Sequence, residues 1–213
     1  MNYENGKRLI DIAGSVFLII LFSPVIIITA LLIKFTSEGP ILADVPDRVG
    51  MNGKLFKFFK FRSMIPNAHQ LLRTDPRFKK AFEEQQKKGN YKIENDPRIT
   101  NIGRFIRKYS IDEVPQFFNV IKGDMSIVGP RPYYPEELKI QQKKFPMTKN
   151  LVKEMLSVKP GITGFWQVSG RSDVAFDKRI EMDAYYARKK SLILDILILL
   201  KTPWAMISGK GAV

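Results

Sequence analysis

Between Ile12 and Ile33 the chain is an almost unbroken run of Ile, Leu, Val, Phe and Ala. At about 1.5 Å per helical residue, such a run can cross a hydrocarbon core of roughly 30 Å. It exceeds a usual signal core, and Lys34 follows it without a small-residue cleavage site, so it is expected to persist in the mature protein. Ser23-Pro24 lies near its centre, where proline removes a helix hydrogen bond and crowds the preceding turn. Lys7 and Arg8 precede the run, and 32 of the 35 basic and 19 of the 21 acidic residues lie after residue 35. Basic residues on both sides favour a helix that enters one leaflet, breaks at Ser23-Pro24 and returns, with both ends in the cytoplasm. A kinked spanning anchor is the alternative. Asp11 is costly in lipid and is expected to pair with Lys7 or Arg8 one turn away.

The net charge of +14 suits anionic partners: phosphates, acidic headgroups or nucleic acid. With no cysteine, disulfides, thiolate nucleophiles and cysteine-bound zinc are excluded. His69 is the single histidine, in a polar stretch without partners for a catalytic triad, and reads as a surface residue.

After the apolar run, Asn52-Gly53 between Val49 and Leu55–Phe61 predicts a small β-hairpin. Its second arm alternates Lys with Phe, which suits base stacking or a membrane interface; the nearby apolar segment favours the interface. Residues 66 to 94 are polar and helix-prone, with Lys79 to Lys88 a solvated face. Phe176 to Lys190 reads as an amphipathic helix, and Leu192 to Leu200 as an apolar helix too short to span, carrying the single acid Asp195.

Chemistry-bearing residues concentrate from Asn95-Asp96-Pro97-Arg98 through Gly103-Arg104-Phe105-Ile106-Arg107 to Ser110-Ile111-Asp112-Glu113-Val114-Pro115-Gln116. Ser110 and Glu113 have capping-box spacing, and Val114, Phe117, Phe118 and Ile121 form an apolar stripe. The acidic pair is therefore expected in a helical first turn, where the dipole favours an ionised Asp112 as nucleophile or metal ligand. The same spacing also serves as a cap alone. Gly129-Pro130-Arg131-Pro132, Lys159-Pro160-Gly161-Ile162-Thr163-Gly164 and Gly170-Arg171 are rigid turns whose cations can present themselves to phosphate oxygens.

In order and spacing, these landmarks resemble the bacterial sugar transferase family, the monotopic phosphoglycosyl transferases that begin polyprenyl-linked glycan assembly. The resemblance covers nearly the whole chain: Lys7-Arg8 with Asp11, Ser23-Pro24, Gly39-Pro40, Lys60-Phe-Arg-Ser-Met64, Asn95-Asp-Pro-Arg98, Asp112-Glu113 with Pro115-Gln116, the Gly129 and Pro160 turns, Gly170-Arg171 and Asp195. It implies a re-entrant helix broken at Ser23-Pro24. It also implies an attack by Asp112 on the β-phosphorus of a UDP-sugar, release of UMP, and transfer of the sugar phosphate to undecaprenyl phosphate. Mg²⁺ is expected at Asp112 and Glu113, since adjacent phosphates need charge neutralisation by a hard cation. Arg107, Arg131 and Arg171 are assigned to phosphate contacts, together with Lys60 and Arg62 of their motif, and Asp195 to orienting a nearby cation.

The expected architecture is a predominantly helical α+β protein: residues 1–36 a re-entrant membrane helix, residues 37–213 a cytoplasmic catalytic domain with a hairpin and, by the resemblance, interfacial amphipathic helices. It belongs at the cytoplasmic face of a bacterial inner membrane among anionic lipids, with no nucleic-acid partner; homodimerisation is left open. Asp44-Val-Pro-Asp-Arg48 departs from the family pattern, and the long stretch between Met64 and Asn95 resembles the branch that transfers galactose or glucose 1-phosphate. A membrane-tethered nucleic-acid-binding protein or a scaffold would also account for the basic excess, but not for the acidic pair beside Gly/Pro/Arg turns.

Overall fold

A computed structural model of the protein describes residues 2–88, 93, 95–169 and 174–207. In chain order its elements are α1 (Tyr3–Leu21), α2 (Ser23–Thr36), β1 (Arg48–Val49), β2 (Leu55–Phe56), α3 (Ala68–Thr74), α4 (Lys79–Lys88), α5 (Asn101–Lys108) and α6 (Gln116–Lys122). They continue as β3 (Ser126–Val128), α7 (Pro135–Lys144), α8 (Lys149–Met155), β4 (Gly161–Thr163), α9 (Phe165–Ser169), α10 (Phe176–Lys189) and α11 (Leu192–Ile207). The protein is thus mostly helical with small sheets, in line with the α+β expectation.

The chain forms two compact units. Their boundaries differ from a division at residue 36, because the apolar run itself is divided at Leu21 and Phe22. The first unit contains α1, Pro46–Phe58 and the chain from Gln116 on; the second contains Phe22–Val45 and Phe59–Pro115.

In the first unit β3 and β4 pair in parallel, with Ser126 opposite Gly161 and Val128 opposite Thr163. Val49, Tyr133, Leu138, Val152, Met155, Phe176 and Ile180 form its core. The residues that α1 buries are Gly6, Lys7, Asp11 and Ser15, while Leu9, Ile10, Ile12, Val16, Phe17 and Ile20 are exposed. This is the reverse of the pattern a helix adopts against water, where the apolar stripe faces the core. The charged groups of this buried face are paired internally. Lys7 Nζ lies 3.2 Å from Asp11 and 3.3 Å from Asp195, and Asp11 accepts from Ser126 Oγ and the Ile127 amide, each at 3.1 Å. Arg8 donates to the Val120 and Ile121 carbonyls at the end of α6, where a cation suits the exposed backbone acceptors.

The hairpin is present, with Asn52 and Gly53 at positive φ, but its ladder is short: Arg48 faces Phe56 and Val49 faces Leu55. The second strand ends at Phe56 and does not continue to Phe61. The Lys/Phe alternation reflects burial: Phe56, Phe58 and Phe61 are core side chains, so they are not a surface for stacked bases or lipid. The amphipathic helix expected at Phe176 is α10, and the apolar segment after it is α11, longer than expected. Ile193, Ile196, Leu197, Leu200 and Trp204 line α11 exposed, whereas Asp195 and Ile198 are buried.

In the second unit α2 packs on α5 around Ile33, Phe61 and Ile106. Pro24 occupies the first turn of α2, where its missing N–H costs nothing, and the helix is interrupted at Phe22. No single helix among the described residues is long and apolar enough to cross a membrane, although α1 and α2 together meet that length and composition. A second small core joins Leu72, Phe78, Ala81 and Ile93.

Candidate active site

The acidic pair sits on a turn that local backbone geometry creates. After α5 ends at Lys108, Ser110 adopts a left-handed conformation (φ 55°) and opens a 3-10 turn over Ile111–Glu113, closed by the Glu113 amide donating to the Ser110 carbonyl at 3.2 Å. A left-handed non-glycine residue persists only where its surroundings fix it. The Ser110–Glu113 capping box does not form. Ser110 makes no side-chain cap bond, and α6 starts only at Gln116, beyond Pro115. Asp112 and Glu113 therefore stand outside the helix whose dipole was expected to favour their charge.

Lys60 takes that part. Its Nζ lies 2.7 Å from Asp112 Oδ2 and 3.8 Å from Glu113 Oε1. The backbone brings the two stretches together directly: the Phe61 amide donates to the Asp112 carbonyl at 2.9 Å, and the Ala43 amide to the Lys60 carbonyl at 2.8 Å. Asp112 is 2% exposed. Burial raises its carboxyl above the ordinary carboxylate value, Lys60 and then Arg107 oppose that rise, and the Glu113 charge adds to it. The result is a carboxylate poor in water and held by one ammonium, with Glu113 at the open side, its side chain 42% exposed. Such a group has one partner to release before it can attack an electrophile or bind a cation.

Segment 61–65 and α5 support this turn. The Met64 and Ile99 backbones bridge, the Thr100 amide donates to the Ser63 carbonyl at 3.1 Å, and Thr100 Oγ1 caps α5 by accepting from the Gly103 amide. Gly103 allows the close approach, since a Cβ there would overlap the Ser63 carbonyl oxygen. Asp96 and Arg98, both buried, form a two-pronged pair at 2.9 and 2.6 Å, and Arg98 also donates to the Ala68 carbonyl. The Asn95–Arg98 motif is thus a clasp within this unit.

Arg62, assigned to phosphate by its motif, is engaged within the protein. Its guanidinium is buried and donates to the carbonyls of Ser37, Glu38, Gly39 and Pro40 and to Ser37 Oγ. The fork expected to hold phosphate instead closes the turn after α2. Arg107 is half-buried in the last turn of α5, close enough to lower the Asp112 and Asp96 carboxyls. His69, half-buried on α3, lies outside this constellation.

In the first unit, Arg131 stands on the turn after β3, with Cζ 5.9 Å from the centre of the Trp166 ring. Arg179 approaches the same ring at 5.0 Å. The Gly129–Pro132 and Pro160–Gly164 turns lock together through the Gly129 amide to the Thr163 carbonyl (2.9 Å) and the Gly161 amide to the Pro130 carbonyl (2.7 Å). Arg171 lies outside the described residues. Asp195 does engage a cation, Lys7, and also accepts from Tyr186 Oη at 2.7 Å and Tyr3 Oη at 3.2 Å. Sequence reasoning missed Asp183, fully buried on α10 beside Tyr133, because an isolated acid in an amphipathic helix carries no distinguishing pattern. Burial pushes its carboxyl well above the usual range, against the Arg131 amide, the Tyr133 hydroxyl and the Arg131 and Arg179 charges.

Among the described residues no three or more His, Cys, Asp or Glu side chains gather as a metal cage. Two adjacent carboxylates do fit Mg²⁺, which commonly takes one or two protein oxygens and completes its shell with substrate phosphate and water. Asp112 and Glu113 offer that pair.

The profile described as bacterial sugar transferase matches residues 2–209. The chain belongs to the bacterial sugar transferase family. Among family relatives, it is 43% identical over 210 residues to the undecaprenyl-phosphate galactose phosphotransferase of Salmonella typhimurium, covering 97% of this chain and 41% of that protein. It is 39% identical to a UDP-N-acetylgalactosamine-undecaprenyl-phosphate N-acetylgalactosaminephosphotransferase of Aeromonas hydrophila, covering 99% and 45%. It is 36% identical to the exopolysaccharide production protein ExoY of Rhizobium meliloti, covering 97% and 88%. The chain therefore spans under half the length of the first two family members and most of the third.

Proposed function

We propose that this protein is a phosphoglycosyl transferase that moves a sugar 1-phosphate from a UDP-sugar to undecaprenyl phosphate. The observation that carries the reading is the buried Asp112 carboxylate, held 2.7 Å from Lys60 on the Ser110–Glu113 turn. An Asp112 oxygen bonds to the β-phosphorus of the donor as the bond from that phosphorus to the bridging oxygen breaks; UMP leaves with the bridging oxygen. A phosphate oxygen of undecaprenyl phosphate then attacks the same phosphorus and displaces the Asp112 carboxylate, giving undecaprenyl diphosphate-sugar. Lys60 favours the ionised form of the waiting carboxylate against its burial and is freed as the carboxylate bonds to phosphorus. Arg107 and Arg131 are the cations assigned to phosphate oxygens, and Arg171 joins them by the family pattern. Mg²⁺ bound at Asp112 and Glu113 would neutralise diphosphate charge.

Galactose is the favoured sugar, because relatives with galactose or galactosyl in their names are 43%, 40% and 42% identical, against 39% for the N-acetylgalactosamine relative. The outward apolar face of α1 and the exposed stripe of α11 support attachment to a bilayer, with α1 and α2 entering one leaflet and returning at Ser23-Pro24, on the cytoplasmic side of the inner membrane. The test is UMP release by detergent-solubilised protein given Mg²⁺, undecaprenyl phosphate and UDP-galactose, UDP-glucose or UDP-N-acetylgalactosamine in turn. Release from one donor that is lost in Asp112→Asn and with EDTA supports the reading. A folded protein that releases UMP from none of them overturns it.

A further inference from the structure

The turn from Val128 to Tyr133 is held from several sides. Tyr186 Oη donates to the Val128 carbonyl at 3.0 Å, the Gly129 amide to Thr163, the Gly161 amide to the Pro130 carbonyl, and the Val49 amide to the Tyr133 carbonyl at 3.0 Å. Its one large charged group, the Arg131 guanidinium, forms no ion pair or hydrogen bond among the described residues and rests 5.9 Å from the Trp166 ring centre. Arg179 shares that ring, so two like charges lie on one indole.

Asp183 is the buried acid facing this arrangement. It is 0% exposed. Its Oδ2 accepts from Tyr133 Oη at 3.4 Å, and its Oδ1 has no hydrogen-bond partner. The Arg131 backbone amide and the charges of Arg131 and Arg179 all act on the carboxyl. It thus meets the turn through Tyr133, the residue after Pro132. A fully buried carboxyl so poorly satisfied is costly to fold around and calls for a purpose.

We propose that Asp183 is a positioning residue that holds the Arg131 turn through Tyr133 and so sets where the guanidinium stands for the donor's phosphates. This rests on the assignment of Arg131 to phosphate binding. By this account Asp183 never meets substrate; it sets where Arg131 points, and Tyr133 orients the carboxyl.

The test measures the Kd of UDP with Mg²⁺ by calorimetry on the full chain, beside thermal unfolding, for wild type, Arg131→Ala, Asp183→Asn and the double variant. Asp183→Asn is expected to weaken UDP about tenfold, Arg131→Ala by more, and the double variant no further than Arg131→Ala, because one acts through the other. Tyr133→Phe, which keeps the ring, is expected to weaken UDP about threefold and serves where Asp183→Asn does not fold. A merely structural Asp183 would lower the melting temperature while leaving the Kd of the folded fraction unchanged, and that result overturns the proposal. If Arg131→Ala binds UDP as wild type does, the phosphate contact itself is wrong and the positioning falls with it. If Arg131→Ala is weak while folded Asp183→Asn and Tyr133→Phe are unchanged, positioning alone is overturned.

Discussion

Lys60 Nζ stands 2.7 Å from Asp112 Oδ2, and the next residue, Phe61, donates its amide to the Asp112 carbonyl. Side chain and backbone thus tie the same two stretches. Lys60 favours the ionised carboxylate that burial disfavours, so the pair balances reactivity against desolvation.

Lys60→Met should move the acid limb of the kcat/KM profile to higher pH. Burial and Glu113 both raise the Asp112 carboxyl and Lys60 is the largest opposing influence, so its removal leaves the raising causes stronger. The same sign applies to stability. A carboxyl raised in the folded state makes folding less favourable as pH climbs from the unfolded value through the folded one. Asp112→Asn should therefore unfold no more easily than wild type at pH 7 while losing activity by about 10⁴-fold or more; a pH series of unfolding and UMP release checks both.

Asp96→Ala should destabilise the fold by about 3 kcal/mol at pH 7, because it strands the buried Arg98 guanidinium without its anion. Burial opposes ionisation of Asp96, but the Arg98 side-chain and amide bonds prevail and hold its carboxyl below the usual range. That stability is complete above the unfolded carboxylate value of about 4 and is lost as pH falls through the lower folded one. Urea unfolding of both proteins at pH 7 and at pH 3 should show the difference shrinking.

Gly103→Ala should destabilise by about 1–3 kcal/mol, since the added methyl overlaps the Ser63 carbonyl and pushes α5 from segment 61–65. The Ser110–Glu113 turn follows directly from α5, so kcat should fall with stability. Thermal unfolding and turnover on the same preparation measure this.

Arg62→Lys separates the structure's account of this arginine from a phosphate-binding one. A lysine cannot reproduce the fork across the Ser37–Pro40 carbonyls. Stability should drop by about 1–2 kcal/mol while the donor KM of the folded enzyme stays unchanged. A raised KM at unchanged stability would contradict the structural role.

Along the chain, local pattern carried a great deal. The apolar run and its Ser23-Pro24 break, the Asn52-Gly53 turn, the helix from Phe176 and the pairing of Asp11 with Lys7 all follow from neighbours within a turn or two, where periodicity, proline and glycine act directly. The residue types of the candidate site were legible for the same reason, as motifs of acids and arginines. What each does with its neighbours was not. The capping box failed because Ser110 turns left-handed and Pro115 delays α6; the Lys/Phe alternation became a core because Phe56, Phe58 and Phe61 are enclosed by distant segments. Arg62 looks like any motif arginine until the Ser37–Pro40 carbonyls meet it, and Asp183 looks like a surface acid until the fold buries it beside Tyr133. Composition and spacing set which groups are available, because those preferences are local; partner, burial and hence ionisation depend on residues far apart in sequence, and only tertiary packing brings them within the few ångströms over which hydrogen bonds and desolvation act.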